Sequence, residues 1–162
     1  MPDYPQPGIS FKDLTPVFAD PAGLRRLVDE LLAPFAGQFD IVAGLEARGF
    51  VLAAAAAYAS GTGMLTIRKA GKLPREVYRD EYTLEYGSGC LEIHRDEVVP
   101  GTRVLILDDV LATGGTVGSA VRLIEKTGAV VAGIGVVLEL DGLDGRGHLG
   151  EHQVVSLQVV HS

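Results

Sequence analysis

Apolar positions fall along this chain in two periods. Leu24, Leu27, Val28, Leu31 and Leu32 recur at helical spacing, with Asp20 or Pro21 placed to start an amphipathic helix. Residues 40–44 (Asp-Ile-Val-Ala-Gly) form a short continuous run, as a buried strand does, and the alanine-rich stretch 46–60 predicts the helix after it. Residues 64–68 and 104–107 predict two further strands, the second preceded by Pro100-Gly101 and followed by paired acids. Val117, Ala120, Val121 and Ile124 give residues 116–127 a helical spacing that Gly128 stops. Runs at 130–138 and 154–160 complete the set. Strands this uniformly apolar are expected where helices cover both faces of a sheet, and their alternation with helices predicts a mostly parallel α/β sheet.

Two stretches break the alternation. Residues 1–19 read as extended and proline-rich. Residues 70–96 are charged and aromatic, with Gly87-Ser88-Gly89 as a hairpin turn. Both are long enough to be functional loops over a rigid scaffold. At 162 residues the chain is expected to be one domain. A net charge of −7 argues against a broad phosphate-backbone surface, so no nucleic-acid partner is expected. Cys90 is the one cysteine, which excludes an internal disulfide and suits a reducing compartment. Residues 1–8 lack the basic and apolar runs of a leader, and the apolar run at 50–59 falls short of a membrane span. The expected location is cytoplasmic, with no membrane partner.

The segment richest in chemistry is Val104-Leu105-Ile106-Leu107-Asp108-Asp109-Val110-Leu111-Ala112-Thr113-Gly114-Gly115-Thr116. A buried strand delivers two carboxylates to its C-terminal end, where open α/β sheets place ligands. The turn that follows opens a helix. Its glycines let a ligand approach the backbone, its N–H groups and the helix dipole favour an anion, and Thr113 and Thr116 add hydroxyl donors. This is a monophosphate cradle beside two acids suited to sugar hydroxyls. It lacks the Lys-Ser/Thr ending of a triphosphate loop. Tight turns alone explain many Gly-Gly pairs, but not Asp108-Asp109 after four apolar residues. Arg68, Lys69, Lys72 and Arg75 form a basic cluster in an otherwise acidic chain.

The segment resembles the phosphoribosyl pyrophosphate (PRPP) signature of the type I phosphoribosyltransferases. Four other segments narrow the resemblance to members that use adenine: residues 4–16 (YPQPGISFKDLTP), 44–50 (GLEARGF), 67–74 (IRKAGKLP) and 82–87 (YTLEYG). The resemblance implies that family's fold, a mostly parallel central sheet flanked by helices, with a small hood (mainly 1–19) and a flexible loop hairpin (about 70–96). It implies transfer of the 5-phosphoribosyl group from PRPP to N9 of adenine, giving AMP and pyrophosphate in purine salvage. Magnesium is implied as cofactor, held mainly through PRPP and not by a protein metal site.

By position, the resemblance assigns Ala112, Thr113, Gly114, Gly115 and Thr116 to the 5′-phosphate, and Asp108 and Asp109 to the ribose hydroxyls. It places Arg48 in a pyrophosphate loop with Glu46 and Ala47, which the family often joins by a cis peptide. Arg68, Lys69 and Lys72 would face the pyrophosphate, with the arginine reaching across a homodimer to the neighbouring site. Phe11 would stack on the purine while backbone groups at Ser10 and Lys12 read its edge. Glu85 and Tyr86 would lie in the closing loop, where the Glu85 carboxylate can stabilise oxocarbenium charge or relay the base proton. Glu85, Asp109 and Arg48 are thus the expected catalytic group.

The chain departs from the family in three places. Lys12 stands where arginine is common, the hood motif lies close to residue 1 where many members have an additional N-terminal helix before it, and the 74–81 loop is more charged. Two other readings remain at this level: a transferase for another 6-substituted purine, and a non-catalytic PRPP-sensing module. His148 and His152 are spaced i, i+4, but glycines at 145, 147 and 150 argue against the helix that would make them a zinc pair. Cys90 alternates with Leu91 and Ile93 in a hairpin and reads as packing.

Overall fold

A computed structural model describes residues 13–83 and 87–161. The chain forms strands β1 (Ile41–Leu45), β2 (Gly63–Lys69), β3 (Val77–Thr83), β4 (Ser88–His94), β5 (Arg103–Leu111), β6 (Val130–Asp141) and β7 (Val154–His161). Helices are α1 (Thr15–Ala19), α2 (Pro21–Leu32), α3 (Arg48–Ser60) and α4 (Gly115–Lys126), with 3-10 turns at Ala33–Phe35 and Gly145–Leu149. The strands form one seven-stranded sheet in the order β3-β4-β2-β1-β5-β6-β7. Strands β2, β1, β5, β6 and β7 are parallel neighbours. The β3–β4 hairpin joins the edge of β2 antiparallel. This is the expected mostly parallel α/β architecture.

Strand β5 shows why its residues are apolar in sequence. Val104 and Ile106 enter the core layer beneath α4, while Leu105 and Leu107 enter the layer beneath α2 and α3, and all four are fully buried. With successive side chains pointing to opposite faces, only an unbroken apolar run satisfies both layers. Each such side chain contributes roughly 2 kcal/mol from burial. The predicted helix starts and stops are met with defined chemistry. The Asp20 carboxylate accepts from Gly23 N–H at 2.6 Å with Pro21 in the first turn. Gly128 follows α4 at φ 84°, in the left-handed conformation that ends helices.

Three expectations need correction. The acids do not lie beyond the third strand. Pairing with β6 continues through Asp108↔Val136, Val110↔Leu138 and Leu111↔Glu139, so β5 runs to Leu111 and carries both acids inside it. Residues 1–19 are not extended throughout. Thr15–Ala19 is a helix whose start is tied down by Asp13, which accepts from the Thr15 N–H at 2.9 Å and hydroxyl at 2.7 Å. The hairpin over 70–96 is present, but Ser88 pairs with Thr83 and Gly89 with Tyr82, so both belong to β4 and the turn precedes them. Among the described residues no helix is long and apolar enough to cross a membrane.

Candidate active site at the β1–β5 switch point

Strands β1 and β5 lie side by side, and their following helices depart to opposite faces, α3 over one core layer and α4 over the other. The strand order reverses between them. Such a reversal opens a crevice at the carboxyl ends of the strands, where α/β proteins bind ligands. Both helices begin at that crevice, and among the described residues no side chain caps either N-terminus. Their first-turn N–H groups therefore face outward, with the positive ends of two helix dipoles behind them. An anion completes such an arrangement.

The α4 side is the expected cradle, Ala112 to Thr116. Gly114 sits at φ 82°, and a methyl there would run into the Gly145 carbonyl oxygen. A methyl at Gly115 would come to 2.9 Å from the Thr83 carbonyl oxygen. Glycine is needed for the backbone conformation at the first position and for the close approach of β3 at the second.

The two acids lie next to this turn. Asp108 is 8% exposed and Asp109 7%. Oδ1 of Asp108 accepts from the Asp109 N–H at 2.9 Å. Burial first, and then the adjacent Asp109 charge, push the Asp108 carboxyl well above the usual carboxylate range. The first turn of α3 packs against it, since a methyl at Gly49 would lie 2.9 Å from the Leu107 carbonyl oxygen and 3.1 Å from Asp108 Oδ1. Across the crevice, Arg48 Nε meets Asp109 Oδ2 at 2.5 Å. That contact is an ion pair without hydrogen-bond alignment, for Oδ2 accepts no hydrogen bond among the described residues.

On the β1 side the Glu46–Ala47 peptide is cis, as the resemblance implied. Glu46 gathers the cations. Oε1 accepts from Lys72 Nζ at 2.6 Å, and Oε2 accepts from Arg68 Nε at 3.2 Å and Lys69 N–H at 3.1 Å. Burial alone would raise the Glu46 carboxyl, but the hydrogen bonds from Lys72, Lys69 and Arg68 outweigh it and hold it at about 2. The Arg68 guanidinium also lies 5.9 Å from the Phe50 ring centre. Arg75 does not join this group. It bonds Asp96, Glu97 and His94 at the base of the hairpin, where the nearer acids capture it.

The structure thus brings together Glu46, Ala47, Arg48, Arg68, Lys69, Lys72, Asp108, Asp109 and the turn at 112–116. Ser10, Phe11, Lys12, Glu85 and Tyr86 lie outside the described residues. The β3–β4 hairpin, which carries the last two, is anchored beside the cradle. Asp80 on β3 accepts from Arg122 at 2.7 Å and from Lys126 at 3.1 Å, both on α4. A cleft of about 360 Å³ runs between hairpin and cradle, lined by Tyr82, Thr83, Thr113 and Gly115 among others.

Sequence reasoning missed Glu92. It alternates out of phase with Leu91 and Ile93 and reads as solvent-facing, yet it is 1% exposed, accepting from Arg79 Nε at 2.6 Å and Gly71 N–H at 3.0 Å. A glutamate inside an apolar run was the available signal. His148 and His152 have separate partners, the Asp144 carbonyl oxygen and Glu125.

Fold and site together define an α/β protein whose sheet switch point sets two uncapped helix N-termini beside a pair of buried acids. Comparison with known proteins agrees. The phosphoribosyl transferase domain family model matches residues 17–160. The adenine phosphoribosyltransferase of Renibacterium salmoninarum is 66% identical over 97% of this chain and 86% of its own. That of Thermoanaerobacter pseudethanolicus has a crystal structure of TM-score 0.95 at 45% identity, covering 99% of this chain and 94% of the other. The Saccharomyces cerevisiae enzyme, crystallised with an imino-altritol bisphosphate and adenine, superposes with TM-score 0.92 at 38% identity over 98% and 92%. The chain belongs to the phosphoribosyltransferase family, in its adenine phosphoribosyltransferase branch.

Proposed function

We propose that this chain, as one domain over residues 1–162, transfers the 5-phosphoribosyl group of PRPP to adenine, giving AMP and pyrophosphate in cytoplasmic purine salvage. The observation that carries the reading is the facing of two uncapped helix N-termini across paired buried acids, with cations gathered at one of them. PRPP carries a monophosphate at one end of a ribose and a diphosphate at the other, and matches that order.

The turn from Ala112 to Thr116 holds the 5′-phosphate through backbone N–H groups and the Thr113 and Thr116 hydroxyls. Asp108 and Asp109 take the ribose hydroxyls. Asp108, kept toward its protonated form, can donate as well as accept. Arg48 trades its contact with Asp109 for the diphosphate, alongside the N–H groups after Glu46 and Ala47. Arg68, Lys69 and Lys72 neutralise the pyrophosphate as the bond from its oxygen to the anomeric carbon breaks. Adenine N9 forms the new bond to that carbon. Phe11 stacks on the base, and backbone groups at Ser10 and Lys12 read its edge. Glu85 stabilises the oxocarbenium charge and relays the proton lost from the base, while Tyr86 and the hairpin exclude water.

The hard carboxylate oxygens of Asp108 and Asp109 suit magnesium, carried in this reading mainly by PRPP. When bound, it supplies charge neutralisation at the diphosphate. A homodimer, with Arg68 serving the neighbouring site, completes the reading. The test is pyrophosphate release from PRPP and magnesium with adenine, hypoxanthine, guanine and xanthine in parallel. Release with adenine alone is expected. Release only with an oxopurine overturns the base assignment, and PRPP binding with no release overturns catalysis.

A further inference from the structure

The segment at 142–150 supplies no side chain to the chemistry above, yet it forms the outer wall of the phosphate turn. A methyl at Gly145 would run into the Ala112 carbonyl oxygen, and one at Gly114 into the Gly145 carbonyl oxygen. Backbone therefore lies directly on backbone. The Leu111 side chain packs beside these contacts, 3.0 Å from the methyl position at Gly145, but the backbone groups touch directly, so displacement of Gly145 is passed to the peptide groups at 112–114.

A five-residue 3-10 turn has little internal stiffness of its own. The residue after Gly145 supplies what is missing. The Arg146 guanidinium donates from Nε to Glu139 Oε1 at 2.7 Å and from Nη2 to Glu139 Oε2 at 2.7 Å, a two-pronged pair. It also donates from Nη1 to the Val154 carbonyl oxygen at 2.9 Å and from Nη2 to Ser156 Oγ at 3.0 Å. Ser156 in turn donates to Glu139 Oε2 at 2.6 Å. Glu139 lies on β6 opposite Leu111, the residue just before the turn, and Val154 and Ser156 lie on β7. The segment is thereby tied to two strands of the sheet that also fixes the turn's start. Hydrogen bonding from Arg146 holds Glu139 below the usual carboxylate range, so the pair stays charged at neutral pH.

We propose that Arg146 is a positioning residue for phosphate binding: clamped to Glu139, it presses Gly145 against Ala112 and Gly114 and so fixes the aim of the N–H groups that receive the 5′-phosphate. The proposal rests on the assignment of residues 112–116 to that phosphate.

The experiment compares wild type, Arg146→Ala, Arg146→Lys and Thr116→Ala in steady-state kinetics, and in calorimetric binding of ribose 5-phosphate, which requires no turnover. For Arg146→Ala, KM for PRPP and the ribose 5-phosphate Kd are expected to rise about tenfold, with KM for adenine within about twofold. Arg146→Lys, which retains the charge but not the fork, recovers part of the loss. A general loss of structure would move both KM values together or lower only the active fraction, and that result overturns the proposal. Unchanged ribose 5-phosphate binding in Arg146→Ala, beside weakened binding in Thr116→Ala, overturns the clamp and leaves the cradle standing. Unchanged binding in both overturns the cradle itself. Should Arg146→Ala fail to fold, Glu139→Gln removes the charged partner at constant shape and is read by the same two measurements.

Discussion

Asp108 and Asp109 are chemically identical neighbours in different surroundings. Asp109 faces a guanidinium, whereas Asp108 faces apolar packing and the charge beside it. A carboxyl whose folded pKa is raised contributes stability that is fully present below its ordinary pKa and lost as pH rises through the folded value. At neutral pH the ionised form of Asp108 is therefore a cost to the fold. Asparagine keeps an oxygen to accept the Asp109 N–H and carries no charge. Asp108→Asn is expected to raise the Tm at pH 8 by a few degrees, with the gain vanishing near pH 4. Scanning calorimetry at both pH values checks this, and an equal shift at each would refute a titrating cause. Under the proposed function the same substitution should weaken PRPP binding, which isothermal calorimetry checks.

The hairpin is an element whose own pairing does not fix where its tip points. Its base is held by Glu92, through Arg79 and Gly71, and its outer strand is held to α4 by Asp80. The strand leading toward Glu85 thus leaves from a place set relative to the same helix that opens the phosphate turn. Asp80→Ala should cost only about 1 kcal/mol, because Arg122 and Lys126 are half exposed and return to water. Amide exchange in β3 should nevertheless rise well above that of β5, measured by mass spectrometry. Uniform exchange across both strands would mean that the clasp does not govern the hairpin. The anchoring was not legible in the sequence. Asp80, Arg122 and Lys126 sit in charged stretches that look solvated, and only the fold brings them within reach. What was legible depended on local chemistry: the apolar runs of β1 and β5, the Asp20 cap, the acids and the glycine turn. The extension of β5 through the acids escaped notice because β6, far along the chain, decides it. Arg75 was misplaced for the same reason, its acid partners lying some twenty residues away.

At the scale of the whole molecule the open question is which chain completes which site. Within one chain, Arg68 and Lys72 are both held by Glu46, at the start of the helix that also presents Arg48. Arg48 is tied to Asp109 of its own chain. Arg68, equally exposed, lies at the junction between β2 and the hairpin, and in the proposed reading it serves the neighbouring site while Arg48 serves its own. The two arginines therefore make different predictions in a mixed assembly. Arg48→Ala and Arg68→Ala should each reduce turnover by about a hundredfold, since each removes a charge that the proposed function assigns to the leaving group. A dimer of one Arg48→Ala chain and one Arg68→Ala chain is isolated through two different affinity tags; with Arg68 acting across the dimer, one of its two sites lacks both arginines. If Arg68 acts across the dimer, its other site is intact, and the mixed dimer should regain about half of wild-type activity. If Arg68 serves its own chain, each site keeps one lesion and activity stays near that of the single variants. Failure to recover any doubly tagged species would remove the dimer itself, and with it the need for a second chain in the chemistry.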